Sequence, residues 1–228
     1  MKLTVLYRLC NKDKPEGRPP WYTKERCYSN FLDVYRLYPY EKDFVLIVDG
    51  EIPSWLKDIP TFKLEGVGNG RSFWHAYNVA LSSHHDDEWV YFCEDDYMHH
   101  SDALSHLHDC AIEISTDYIT LYDHPDRYDK EMAAHNLTDG RNDIFLSRAH
   151  HWRTVPSTTM TFGARVGALR AGYDLFKEWT DRESTVSWEL FPRLLGLMES
   201  GLRQTLLGAI PSLATHCEAK YLAPFYFS

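Results

Sequence analysis

Three acidic residues in a row, Glu94, Asp95 and Asp96, form the group in this sequence with the clearest potential for chemistry. Adjacent carboxylates repel one another, so a folded chain keeps them together where a cation or hydrogen-bond donors compensate. They directly follow an apolar run at residues 89–93, which predicts a buried strand, and open α/β sheets bind ligands at the carboxyl ends of such strands. Mg²⁺ or Mn²⁺ bound with the phosphates of a nucleotide would use these oxygens. The alternative is a solvated acidic turn.

The elements that must position this triplet alternate between strands and helices in the first half of the chain. Short apolar or β-branched runs predict strands at residues 3–9, 44–48, 89–93 and 118–122. Amphipathic stretches predict helices at residues 27–38, 72–81 (with Ser72 as N-cap) and 106–114. Alternation of this kind implies a parallel sheet flanked by helices.

The second half of the chain has a different pattern. Residues 124–153 are polar and lack periodicity, which predicts loops or an antiparallel excursion. The remaining predictions are a strand at 158–162, helices at 165–180 and 188–200, and irregular structure from Pro211 onward.

The composition excludes several classes of protein. The 228 residues include 7 Trp, 15 Tyr and 11 Phe, which suits one folded domain rather than a disordered chain. A net charge of −9 argues against wholesale binding to nucleic acid or to an anionic membrane surface. Five cysteines without a C-x-x-C pair predict buried free thiols rather than disulfides or structural zinc. No apolar run approaches the roughly 20 residues of a membrane span, and the start is too short for a secretory signal, so we expect a soluble, cytoplasmic protein.

With these segments in view, the chain resembles the glycosyltransferases of the GT-A fold, particularly the broad family-2-like group. The matching segments cover most of the first 125 residues and are residues 5–8, 44–49, the glycine-rich stretch leading into 76–78, and 91–96. The motif reads Glu-Asp-Asp where the family has a motif of Asp-x-Asp type. The second half is similar to small viral sugar-transferase domains of this fold at residues 158–162, residues 188–191 and the pair Thr215-His216.

The resemblance implies a fold and a division of the chain. The fold would be a single GT-A-like α/β domain over residues 1–228, with a mostly parallel central sheet flanked by helices. Residues 1–123 would form the half that binds the nucleotide sugar, and residues 124–228 the half that binds the acceptor.

The resemblance also implies a metal site. Asp96 would ligate the metal, Glu94 would be a direct or water-mediated ligand, and His216 would complete the site from a distance. Imidazole suits Mn²⁺ better than Mg²⁺, and either ion is expected. For His216 the alternative is a structural or exposed histidine, because a chain with 12 histidines gives many chance matches.

Four further residues are implied in binding the nucleotide. Asp95 would contact the ribose or share the metal, and Asp49 would lie near the nucleoside. Arg8, at the end of the first strand, would also bind the nucleotide. Arg71 would contact the base or a phosphate, with an exposed surface cation as the alternative.

An inverting sugar transfer also needs a base that takes the proton of the acceptor hydroxyl. The resemblance places this base at Glu189, at a predicted helix start, with Asp181 and Glu183 as competitors. An acid in the first turn of a helix is also favoured by the helix dipole without any catalysis.

These features together predict a metal-dependent hexosyltransferase. It would move a sugar from a nucleotide-diphosphate sugar, with uridine favoured by the resemblance alone, to a hydroxyl of a glycan or a modified nucleic acid. One alternative is a sugar nucleotidyltransferase of similar fold, although residues 10–17 are a poor version of its glycine-rich, basic phosphate loop. The other alternative is a non-catalytic carbohydrate-binding module, which a nucleotide-binding titration would separate from both enzymes.

An arginine-rich stretch between residues 141 and 170 bears on the charge of the acceptor. It contains Arg141, Arg148, Arg153, Arg165 and Arg170. Asp143 is the acid among them, so the charge of these six residues is +5 − 1 = +4. Such a stretch favours an anionic acceptor, and the alternative is that the arginines pair with carboxylates elsewhere.

Overall fold

The structure is a computed structural model that describes residues 1–10, 12, 16–128, 143–181, 187–198 and 201–223. The strands in this part of the chain are β1 (Leu3–Cys10), β2 (Lys42–Asp49), β3 (Phe62–Leu64), β4 (Trp89–Glu94), β5 (Tyr97–His99), β6 (Tyr118–Thr120), β7 (Ile144–Ser147), β8 (His150–Thr154), β9 (Phe162–Arg165), β10 (Leu206–Ile210) and β11 (Ala214–His216). The α-helices are α1 (Lys24–Leu37), α2 (Asn69–Ser83), α3 (Ala103–Glu113), α4 (Val166–Ala171), α5 (Tyr173–Thr180) and α6 (Ser187–Leu194).

A nine-stranded sheet in the order β3-β2-β1-β4-β9-β6-β10-β8-β7 organises the described residues. Its pairings make β8 and β9 run opposite to the other strands. The predicted α/β architecture, with a mostly parallel central sheet flanked by helices, is therefore confirmed. Both halves of the chain contribute to this sheet, because β9 lies between β4 and β6. β5 and β11 form a separate antiparallel pair.

The side chains of β1 alternate between two hydrophobic cores, one on each face of the sheet. Tyr7 belongs to the core that contains Phe31 of α1, whereas Leu6 belongs to the core that contains Phe73 of α2. Helices α1 and α3 cover the first face, and α2, α4, α5 and α6 cover the second. Burial on both faces explains why the central strands are continuous apolar runs in the sequence.

The helix after the glycine-rich stretch begins three residues earlier than predicted. The N-cap of α2 is Gly68, whose φ of +89° lies in a region that favours glycine. Ser72 is therefore not the N-cap, and that prediction is wrong. Ser72 lies inside the first turn, where its hydroxyl donates to Asn69 O at 3.0 Å.

The predictions for the second half are confirmed in part. β7 and β8 pair antiparallel, so the described end of the 124–153 stretch is an antiparallel excursion. The helix predicted at 165–180 is two helices that meet at Gly172, where a Cβ would approach Leu194 Cδ2 to 2.8 Å. The helix predicted at 188–200 is shorter and ends at Leu194.

Two further predictions in the second half are wrong. The strand predicted at 158–162 begins only at Phe162, and the hydroxyls of Thr158 and Thr161 bond to Thr120 Oγ1 and the amide of Glu94. The region after Pro211 is not wholly irregular, since β11 pairs with β5. None of the described helices is both long enough and apolar enough to cross a membrane.

Candidate functional site

A cavity of about 630 Å³ opens at the carboxyl ends of β1, β2 and β4. The chain leaves β1 towards β2 on one side and reaches β4 on the other, so the strand order reverses there. Open α/β sheets bind ligands at such a point. The charged side chains on the cavity wall are Arg8, Lys12, Arg18, Lys24, Asp49, Glu51, Glu94, Asp95 and Asp96. The first turn of α2 also lines it, through Gly68, Asn69 and Ser72.

Each acid of the triplet is paired with a cation from a different part of the chain. Glu94 lies at the end of β4, and its Oε1 accepts from Arg8 Nη2 at 2.9 Å. Arg8 comes from β1, beside Glu94 in the sheet, and its Nη1 also donates to Asn69 Oδ1 at 2.9 Å and to Ser72 Oγ at 3.1 Å. Arg8 therefore ties the end of β4 to the first turn of α2.

Asp95 connects the triplet to α1 and to the end of β1. Its Oδ2 accepts from Lys24 Nζ at 2.9 Å and from the backbone N–H of Cys10 at 2.7 Å. Lys24 also donates to Cys10 O at 2.6 Å and to Lys12 O at 2.9 Å. These bonds hold the chain that leaves β1 against the acidic triplet.

Asp96 lies where the triplet meets the C-terminal strand pair. Its Oδ2 accepts from Arg18 Nη2 at 2.7 Å and lies 3.0 Å from His216 Nε2. Its Oδ1 is buried and has no hydrogen-bond partner within the described residues. A buried carboxylate oxygen without a partner costs free energy, so this atom is suited to receive a ligand or a cation.

The pKa values of the triplet differ because the balance of burial and charge differs at each acid. Burial raises the pKa of Glu94 despite Arg8, and it raises the pKa of Asp95 despite Lys24. Burial also acts to raise the pKa of Asp96, but the hydrogen bonds and charges of His216 and Arg18 outweigh it and lower that pKa. Burial acts to lower the pKa of His216, and the hydrogen bond with Asp96 reverses this and raises it.

Asp49 uses both carboxylate oxygens to hold the loop before α2. Oδ1 accepts from Val67 N at 2.7 Å, and Oδ2 accepts from Gly68 N at 2.9 Å. The carboxylate thereby fixes the glycine-rich loop and the N-terminus of α2 at the cavity wall. A helix N-terminus presents N–H donors and a partial positive charge, which favour an anion such as phosphate.

The predicted metal ligands come together only in part. Asp96 and His216 are in contact, whereas Glu94 is directed to Arg8. No group of three or more His, Cys, Asp or Glu side chains among the described residues is arranged to hold a metal ion. Asp96 with its unpartnered Oδ1 fits a hard divalent ion that takes its remaining oxygens from bound phosphates, as Mg²⁺ commonly does.

The other predicted site residues divide into two groups. Arg8, Asp49 and Asp95 line the cavity together with Glu94 and Asp96. Arg71 is exposed on α2 and is absent from the cavity wall. Asp181, the C-cap of α5, and Glu189, in the first turn of α6, are also absent from it. Glu183 lies outside the described residues.

Three basic residues that the sequence analysis did not assign line the cavity, namely Lys12, Arg18 and Lys24. All three follow β1 within a short stretch, and Tyr22 from the same stretch also lines the cavity. The signal that could have identified them is the position of several cations just after the first strand.

The arginine-rich stretch is largely paired, as its alternative predicted. Arg153 Nη2 lies 2.6 Å from Asp123 Oδ1, and Arg165 Nη2 lies 2.6 Å from Asp117 Oδ1. Arg170 forms an ion pair with Asp86. Arg148 is exposed, and Arg141 lies outside the described residues.

Comparison with known proteins gives matches among solved structures. No protein-family model matches the sequence, and a search of curated proteins gives no match. Among solved structures, the chain is similar to 2-C-methyl-D-erythritol 4-phosphate cytidylyltransferase (IspD) from Francisella tularensis. The identity is 13%, the TM-score is 0.49, and the match covers 91% of this chain and 90% of that chain. A similarity at this level supports no conclusion about activity.

Proposed function

We propose that the protein is a transferase whose cavity binds the nucleotide part of an activated substrate together with a divalent metal ion. The observation that carries this proposal is the buried, unpartnered Oδ1 of Asp96 at a wall that also presents four cationic side chains and the N-terminus of α2. Nucleotide phosphates would satisfy the cations and the helix N-terminus, and a metal ion would bridge them to Asp96.

Each part of the cavity then has a role in binding. Lys12 and the amides in the first turn of α2 would donate to the phosphates. Lys24, whose N–H groups are held by Asp95, Cys10 O and Lys12 O, would add positive charge beside them. The loop that Asp49 holds would lie against the nucleoside. Asp96 with His216 would hold the metal ion, which stabilises the charge of a departing phosphate group when bound.

Glycosyl transfer is the first candidate reaction. It rests on the resemblance through residues 91–96 and on the contact between Asp96 and His216, a pair that the resemblance singled out. A hexose would move from a nucleotide-diphosphate sugar to an acceptor hydroxyl. Glu189 and Asp181 stay predictions for the base that takes the hydroxyl proton, and uridine and Mn²⁺ stay predictions for the nucleotide and metal.

Nucleotidyl transfer is the second candidate, and a specific observation favours it. The sequence leaves this reaction as an alternative, because residues 10–17 are only a poor version of its glycine-rich, basic phosphate loop. The folded chain instead presents Lys12, Arg18 and Lys24 to the cavity from the segment after β1. Three cations there suit the longer phosphate chain of a nucleoside triphosphate as well as a diphosphate.

The two reactions break different bonds, so one product analysis separates them. The protein is incubated with Mn²⁺ and either a panel of nucleotide-diphosphate sugars or nucleoside triphosphates with sugar phosphates, and the products are followed by mass spectrometry. Slow release of free sugar and nucleoside diphosphate would support glycosyl transfer, whereas pyrophosphate would support nucleotidyl transfer. Absence of both products, together with no nucleotide binding in a titration, would contradict the proposed function.

A further inference from the structure

Arg18 lies on the carboxylate that the proposed function assigns to the metal ion. Its Nη2 donates to Asp96 Oδ2 at 2.7 Å, and its Nη1 donates to Cys217 O at 2.8 Å. Its Nη1 also lies 3.4 Å from His216 Nε2, and the guanidinium lies 4.8 Å from the centroid of the Tyr22 ring. Only 16% of the Arg18 side chain is exposed, so this contact is not a loose surface pair.

The backbone around Arg18 is joined to the strand that carries His216. Gly17 O accepts from Ala219 N at 2.7 Å, and Asp96 O accepts from Cys217 N at 2.8 Å. Gly17 has a φ of +75°, a conformation that glycine adopts without strain. The position of Arg18 over Asp96 is therefore set by the fold on both sides of the contact.

Arg18 differs from the two other cations of the triplet in the acid that it holds. Each of the three cations also donates to a group away from the acids: Arg8 to Asn69 Oδ1, Lys24 to Cys10 O and Arg18 to Cys217 O. Arg18 pairs with Asp96, whose Oδ2 also lies 3.0 Å from His216 Nε2 and whose Oδ1 has no hydrogen-bond partner within the described residues. A divalent ion on this carboxylate would lie close to the guanidinium, and like charges at such a distance repel strongly in a partly buried site.

We propose that Arg18 is a positioning residue that competes with the divalent metal ion for Asp96, so that the metal enters as the guanidinium leaves. This inference rests on the proposed function for the identity of the site. The displaced guanidinium has a partner of opposite charge in the phosphates of the nucleotide, which it could bind in bidentate fashion. Metal and nucleotide binding would thereby strengthen each other, because each favours the arrangement in which Arg18 has left Asp96.

The test measures Mn²⁺ binding to the full chain in the absence of nucleotide, by titration calorimetry or by the loss of the free-ion electron paramagnetic resonance signal. Arg18→Gln is expected to bind Mn²⁺ about tenfold more tightly than the wild type, since a charged hydrogen bond no longer opposes the ion. Arg36→Gln is the matched control, because Arg36 pairs with Asp33 at an exposed position where 69% of its side chain is accessible. The control should bind Mn²⁺ as the wild type does.

A second measurement uses UDP as the probe in the presence of Mn²⁺. Arg18→Gln is expected to bind UDP about tenfold more weakly than the wild type, because a bidentate phosphate contact is lost. For the same reason, the factor by which UDP tightens Mn²⁺ binding should be smaller in Arg18→Gln than in the wild type. A purely structural role of Arg18 would not tighten Mn²⁺ binding while weakening UDP binding.

The proposed competition would be overturned if Arg18→Gln unfolds at the same temperature as the wild type and binds Mn²⁺ equally or more weakly. If Arg18→Gln does not fold, Arg18→Lys is used, which removes the forked contact to Cys217 O. This variant is expected to tighten Mn²⁺ binding by a smaller factor, and unchanged Mn²⁺ binding would again overturn the proposed competition. The proposed function fails separately. Wild-type protein that binds no nucleoside diphosphate or triphosphate with Mn²⁺, UDP included, would contradict it, even where Arg18→Gln tightens Mn²⁺ binding.

Discussion

Two strands of the central sheet that run in the same direction end in buried acids, and the two ends are built differently. β4 ends in Glu94, Asp95 and Asp96, whereas the chain after β6 reaches Asp123. Asp123 Oδ1 accepts from both Arg127 Nη1 at 3.1 Å and Arg153 Nη2 at 2.6 Å, and its Oδ2 accepts from the hydroxyl of Tyr128. Both oxygens of Asp123 are therefore satisfied by the fold itself.

In the triplet after β4 each acid pairs with one cation, and Asp96 Oδ1 has no partner in the part of the chain that the structure describes. Around Asp123, two arginines and a tyrosine surround one acid, and none of these residues lines the cavity. The difference supports the proposal that the first strand end receives a ligand, whereas the contacts of the second hold the fold together. Substitutions at the two ends should therefore differ in their effect on metal binding.

The largest effect is expected from Asp96→Asn on the proposed activity. The amide keeps the shape of the side chain and loses the charge that a divalent ion needs, so Mn²⁺-dependent donor hydrolysis should fall by about 100-fold or more. The free energy of unfolding should fall by about 2 kcal/mol, because Arg18 and His216 lose a charged partner although the carboxamide oxygen still accepts a hydrogen bond. Hydrolysis assays and urea unfolding check both parts. Unchanged hydrolysis, or full activity in excess chelator, would contradict the assignment of Asp96.

Asp123→Asn should lower stability without affecting metal binding. Only 8% of the Asp123 side chain and 6% of the Arg127 side chain are exposed, so the substitution leaves buried arginine charge without compensation. We expect a loss of about 3 kcal/mol in the free energy of unfolding, as for other buried pairs broken at one partner. At a temperature where the variant is folded, its Mn²⁺ affinity should equal that of the wild type. Loss of Mn²⁺ binding in the folded variant would break the distinction between the two strand ends.

The sequence predicted the first strand end better than the second for a physical reason. Three consecutive acids after an apolar run are visible as a local pattern, and the alternation of elements predicts the parallel sheet at whose carboxyl edge they lie. The partners of Asp96 are not local, because Arg18 is 78 residues away and His216 is 120 residues away. The pairing of Asp123 with Arg153 likewise depends on how β8 joins the sheet next to β10, which periodicity does not reveal.

Part of the pH dependence of stability should come from His99, a buried histidine at the end of β5. Burial lowers the pKa of His99 from 6.5 to about 3, and its Nε2 lies 2.7 Å from the Tyr91 hydroxyl. The unfolded chain takes up a proton at this histidine below pH 6.5, whereas the folded chain does so only near pH 3. Stability from His99 is therefore complete above pH 6.5 and is lost as the pH falls, by about 2 kcal/mol at pH 5.

The variant His99→Gln isolates this contribution in urea unfolding at pH 7, 6 and 5. Its free energy of unfolding should fall less steeply with decreasing pH than that of the wild type. The raised pKa values of Glu94 and Asp95 act with the opposite sign, because the folded chain then binds protons before the unfolded chain does. They are present in both proteins, so the difference between the two curves reports His99. Parallel curves would show that His99 does not titrate as its burial requires.

The smallest effect is expected from the described part of the arginine-rich stretch, residues 143–170, where pairing leaves little free charge. Arg153, Arg165 and Arg170 each meet an aspartate, whereas Arg148 is exposed and has no side-chain ion pair within the described residues. An anionic acceptor would then gain about one such contact from this stretch. Acceptor turnover should fall by no more than about threefold between 50 and 200 mM salt, since the salt dependence follows the number of phosphate contacts.

Arg148→Ala should remove most of that salt dependence without changing donor affinity, and Arg36→Ala is the control for an exposed arginine elsewhere. Turnover with an anionic and a neutral acceptor is compared across the salt series for both variants. A fall of 100-fold or more in the wild type would require several free cations on the acceptor side. In that case the paired arginines would have to leave their aspartates on binding, and the second half of the chain would be a binding surface rather than a region of structural pairs.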